Sequence, residues 1–80
     1  MTGKITLINP KRGMAALITE NDEYTSFDTR GCEIEVGDII SGDLESLGSE
    51  TWTNETRGEI MEVFVEGVFD SRKTALRLVS

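Results

Sequence analysis

Hydrophobic and polar positions in this chain fall into short runs separated by turn residues. Lys4–Ile8 and Met14–Thr19 are β-prone and flank the turn Asn9-Pro10-Lys11-Arg12-Gly13. Asn-Pro starts turns, and Gly13 can take the positive φ that closes a hairpin. Strands are therefore predicted at about residues 4–9 and 14–19. The polar turn Glu20–Glu23 leads into a third, Tyr24–Asp28, so the first three make an antiparallel meander. Thr29–Gly37 is a connection in which Glu33–Val36 alternates polar and apolar. A fourth strand is predicted over Ile39–Leu47, bent at Gly42, because glycine inside a strand marks a bulge or bend. Gly48–Gly58 reads as a polar loop. In the fifth strand, Glu59–Phe69, Met61, Val63 and Val65 share one face and are assigned to the core. Ile60, Glu62, Phe64 and Glu66 share the other, half-exposed face. Asp70–Lys73 is a turn, and Thr74–Val79 is either a short strand or a single helical turn.

Composition agrees with this pattern. Thr, Ile and Val supply 21 of the 80 residues and Gly another 8, a bias toward strands and tight turns. Eighty residues make one small domain, which buries only about 60% of its unfolded surface. The expected organisation is a domain over residues 1–69 and an extension over 70–80. The longest apolar run, Met14–Ile18, is far short of the roughly 20 residues of a membrane span. The start of the chain has no secretory apolar region, so a cytoplasmic protein without membrane contact is expected.

The first hairpin carries a resemblance. Gly3, Lys4, Ile5, Asn9, Arg12 and Gly13 match the opening pattern of the cold-shock domain, G-K-V-K-W-F-N-x-x-K-G-F-G-F-I, with Arg12 in place of Lys. Val36-Gly37-Asp38 is similar to the family's E-G-Q turn. The resemblance covers about residues 3–68. It implies an all-β, five-stranded antiparallel Greek-key barrel, the OB-fold, which binds single strands by stacking bases on aromatics while cations track the backbone. The departures fall on the aromatics. Leu7 and Ile8 stand where the family has Trp and Phe, and Met14 and Ala16 where it has two Phe. Tyr24–Asp28 stands for the family's V-F-V-H, with Asp28 at the His position.

Charge and side-chain chemistry narrow the function. The net charge is −7, from 8 basic and 15 acidic residues, which opposes nonspecific attraction to phosphate. The distribution is uneven. Lys4, Lys11 and Arg12 lie near the start, Arg72, Lys73 and Arg77 near the end, and most acids between Glu20 and Glu66. There is no His, one Cys, no nucleophile elbow and no phosphate-binding loop motif. Cys32 has neither a disulfide partner nor a His to activate it. Asp43 and Glu45 share one face of the predicted fourth strand, a solvated setting unsuited to acid–base work. Glu20–Glu23 lacks the Gly and distal Glu of a calcium loop. A non-enzyme without metal or cofactor is expected.

Two readings remain. In the first, a monomer binds single-stranded RNA or DNA, with Lys4, Lys11, Arg12 and Arg57 on phosphates and Leu7, Ile8, Met14, Phe27 and Trp52 against bases. Trp52 lies in the loop that borders the binding face of OB-folds; either it binds there or it packs back over the barrel end. Losing two aromatic stacks weakens such binding by about 2–6 kcal/mol, roughly 30-fold to 10⁴-fold. In the second, a patch of Leu7, Ile8 and Met14, extended by Phe64 and ringed by acids, takes a protein partner or a second copy of the chain, or binding has been lost altogether.

Overall fold

The computed structural model describes all 80 residues. The strands are β1 (Thr2–Asn9), β2 (Met14–Thr19), β3 (Tyr24–Asp28), β4 (Ile39–Ser41), β5 (Gly48–Asn54) and β6 (Glu59–Asp70), followed by helix α1 (Arg72–Val79). They close into an antiparallel barrel in the order β1-β2-β3-β6-β5-β4, with β1 pairing β2 on one edge and β4 on the other. The chain is thus all-β in its sheet, with six strands where five were predicted.

The meander forms as the turn residues dictate. Gly13 has φ +64°, and Asn9 Oδ1 accepts from the Lys11 amide at 3.2 Å. The β1–β2 register slips between Ile5 and Leu7, leaving Thr6 as a bulge. A bulge inserts one extra residue and reverses the in–out alternation beyond it. Ile5 and Ile8 therefore both pack toward the barrel interior, while Leu7 is turned outward.

The predicted fourth strand breaks at Gly42, which has φ +142°. A Cβ there would lie 2.8 Å from Trp52 Cδ1, so a side chain would collide with the indole. Beyond Gly42 the chain turns inward and plants Leu44 in the core. Thr25 Oγ1 donates to the Leu44 carbonyl at 2.7 Å, and Trp52 Nε1 donates to the Asp43 carbonyl at 3.0 Å. The polar stretch read as a loop is β5 plus a turn at 55–58. Its inward positions are Trp52 and Asn54 and its outward ones Thr51 and Thr53. Alternation is present, but threonine and asparagine hide it. Asn54 is satisfied inside, its amide donating to Asp38 Oδ2 at 2.8 Å.

The barrel interior holds Ile5, Ala15, Leu17, Phe27, Ile40, Leu44, Trp52, Met61, Val63 and Val65. Met61, Val63 and Val65 are buried, and Ile60, Glu62, Phe64 and Glu66 are exposed, as their alternation predicts.

Arg72–Val79 form a two-turn helix, longer than the single turn and unlike the strand considered above. Ser71 caps it, its Oγ accepting from the Thr74 amide at 3.2 Å. Such a cap satisfies one of the four free N–H groups of a helix start. Ala75 and Val79, four apart on one helix face, are buried with Met14 and Ala16, and Leu7 and Tyr24 pack alongside. The helix therefore lies on the outer face of the β1–β2–β3 meander.

Candidate nucleic-acid interface

The predicted binding residues separate into three groups. The aromatics are not at the surface. Trp52 is 1% exposed and Phe27 fully buried, their rings meeting edge-to-face with centroids 4.9 Å apart. Both are corrected from binding candidates to core. Phe27 faces inward because it pairs with Ala15, an inward position of β2. Trp52 faces inward because the interior offers both an aromatic edge and a carbonyl for its N–H, the two things a buried indole needs.

The second group lies under or beside α1. Met14 is 7% exposed and packs with Ala75 and Val79, and Leu7 is half-buried beside them. The helix thus covers part of the face these residues were expected to offer. Ala16 and Ser26 pair across β2 and β3 and are both fully buried. Ser26 Oγ has no hydrogen-bond partner. The C-terminal end of α1 is held by the first turn. Asn9 Nδ2 donates to the Val79 carbonyl at 3.0 Å, and Arg12 Nη1 donates to the carbonyls of Leu78, at 3.2 Å, and Ser80. Cations at a helix C-terminus also oppose the negative end of its dipole.

The third group remains exposed. Lys4 lies on β1, and Lys11 and Arg12 on the β1–β2 turn. Arg72, Lys73 and Arg77 add to them on the exposed side of α1, which carries no acid. The sequence offered these three only as a terminal charge cluster. The helical placement was legible in Ser71 followed by good helix formers. Of the eight cations only Arg57 is in a salt bridge, with Glu33 at 3.1 Å and Glu59 at 2.8 Å. Its hydrogen bond to Glu59 pushes the guanidinium further toward the charged form. Arg30 stands over the Phe64 ring, 5.4 Å from its centroid.

An open cleft of about 430 Å³ lies at one end of the barrel. Ile8, Pro10 and Met14 line it from the first hairpin, Cys32 and Ile34 from the 29–38 connection, and Arg57 from the β5–β6 turn. It brings together three predicted candidates, Ile8, Met14 and Arg57, below the turn that carries Lys11 and Arg12. Glu33 and Glu35 also line it. Burial pushes the Cys32 thiol up, the opposite of what an activated thiol needs.

No helix is long and apolar enough to cross a membrane. Comparison of the chain with protein-family models, curated proteins and solved structures finds no match.

Proposed function

We propose that this chain is a non-catalytic binding module, a divergent OB-type barrel of the cold-shock kind, that engages single-stranded RNA or DNA weakly and through phosphates. The carrying observation is the placement of the cations. Lys11 and Arg12 on the first turn and Arg72, Lys73 and Arg77 on α1 are exposed and free of ion pairs, and the turn that bears the first two adjoins the cleft. The meander of β1 to β3, closed through β6, β5 and β4 back onto β1, supports the OB-type reading. With both candidate aromatics in the core, base stacking contributes nothing from them, so affinity comes from charge and is sensitive to salt.

Five cations on a single strand give a slope of up to about 3.5 in log affinity against log salt. Between 50 and 200 mM salt that is a loss of roughly 100-fold. The test is fluorescence anisotropy of an end-labelled oligothymidine and a matching RNA, because buried Trp52 cannot report a strand. Saturable binding at low salt that fades with this slope, and weakens in Lys11→Ala and Arg77→Ala, supports the reading. Absence of binding at low salt by the folded protein rejects it.

A protein partner is the second reading, favoured by the outer face of β5 and β6. Ile60 is 75% exposed there and Phe64 36%, in cross-strand register with Thr53 and Ser49. Failure of the oligonucleotide titration would direct attention to that face.

A further inference from the structure

The outer face of the meander is built to receive a helix. Small side chains, Ala16 and Ser26, lie fully buried on it, with Leu7, Met14 and Tyr24 beside the helix. Asn9 and Arg12 stand where they hold the last carbonyls of the helix. The start of α1, by contrast, is capped by its own Ser71. The helix carries its N-cap with it wherever it goes, and the barrel supplies only the seat and the C-terminal clamp.

The tether is short and strained. Ser71 alone separates Asp70, the last residue of β6, from Arg72. Two residues before it, at the bulge of β6 where the β3–β6 register shifts between Tyr24↔Asp70 and Ser26↔Gly67, Phe69 has φ +56° and is 58% exposed. A left-handed conformation in a bulky L-residue costs roughly 1–2 kcal/mol and is an outlier for an aromatic. Short strained hinges favour exchange of the element they carry between copies of a chain.

We propose that the occupant of this face, beyond the chain's own α1, is the α1 of a second copy. Opening at Phe69 and Asp70 lets β6 run on and deliver each helix, with its Ser71 cap, to the other barrel. There Ala75 and Val79 meet Met14 and Ala16 of the other copy, and Asn9 and Arg12 clamp the arriving carbonyls. Every closed contact is remade in trans, so the balance between monomer and dimer rests on hinge strain and concentration. The inference is independent of nucleic-acid binding.

The test uses the full-length chain at concentrations from 10 μM to 1 mM, equilibrated warm and measured by size-exclusion chromatography with light scattering. A dimer that grows with concentration is expected. In a mixture of isotope-labelled and unlabelled chains, the dimer fraction should give intermolecular nuclear Overhauser contacts between Val79 and Met14 methyls. Phe69→Gly removes the strain that favours opening, because glycine takes this φ freely. It should weaken dimerisation by roughly tenfold per hinge, about a hundredfold for the pair. A chain that stays monomeric at 1 mM overturns the proposal. So does a dimer without those intermolecular contacts, or one indifferent to Phe69→Gly; loss on Ile60→Glu instead would place the contact on β5–β6.

Discussion

Removing the indole of Trp52 separates a core residue from a binding residue. The side chain is 1% exposed, donates its N–H to the Asp43 carbonyl at 3.0 Å and meets Phe27 edge-on. Trp52→Phe keeps an aromatic but loses that hydrogen bond, worth about 1 kcal/mol, and part of the packed volume. A total near 2 kcal/mol is expected. Trp52→Ala should lose about 3–5 kcal/mol. At roughly 0.05–0.15 kcal/mol per residue a domain of this size holds about 4–12 kcal/mol, so the alanine variant is marginal or unfolded. The assay is urea denaturation followed by far-ultraviolet circular dichroism, because the fluorophore is gone. With a slope near 1 kcal/mol per molar urea, Trp52→Phe should lower the midpoint by about 2 M. In the native protein the indole emission should be blue-shifted and resist acrylamide quenching. A midpoint shift below about 0.5 M, with a parallel fall in oligonucleotide affinity, would refute the burial argument and return Trp52 to the surface.

Two further predictions probe the helix seat and the cleft. Ala16→Phe places an aromatic ring at a fully buried position beneath α1. Overpacking should destabilise by about 1–3 kcal/mol and release the helix, read as lost amide-exchange protection at Leu76–Ser80; a stable variant with a protected helix would disprove the fit. Cys32, its thiol held up by burial, should alkylate more slowly in the folded than in the urea-unfolded chain at pH 8. Because its folded pKa is raised, its stabilising contribution is complete below the ordinary thiol range near 8.5 and is lost as pH rises through the folded value. Cys32→Ser should remove the fall in stability that sets in above the ordinary thiol range near 8.5, as measured by urea midpoints.

How legible each part was depends on how local its cause is. The first hairpin was readable because Asn9-Pro10 and Gly13 fix their own turn, and the core face of β6 because Met61, Val63 and Val65 alternate cleanly with polar neighbours. Of the two readings of Trp52 the packed one holds, but the strand that carries it was read as a loop because its neighbours are polar. In β5 those neighbours point outward to solvent or, like Asn54, find a buried partner sixteen residues away in Asp38, and no local pattern announces that. Gly42 was recognised as a bend, but that the bend ends the strand depends on an indole ten residues later. Phe27 followed from register: the pairing with Ala15 decides its face, and register is set by the whole sheet. The helix was half-visible. Ser71 and the run Arg72–Val79 have a cap and good helix formers, yet eight residues are too few to be stable alone. Their helicity needs the seat on the meander.

That seat also accounts for the small and aliphatic residues on the outer face of the first hairpin. A Phe at position 16 and a helix carrying Ala75 and Val79 compete for the same space. Conversely, Leu7, Met14 and Ala16 without the helix would leave an aliphatic face open to water. The aliphatic side chains of the meander and the buried face of the helix therefore fit as one packed unit. Arg72, Lys73 and Arg77 ride on the outside of the helix in a chain of net charge −7. On the proposed reading, contact by cations alone should give oligothymidine and oligoadenine nearly equal affinity at matched salt in the same anisotropy titration, with the loss on added salt set by the number of phosphates neutralised. A strong preference for either base would refute contact through phosphates alone.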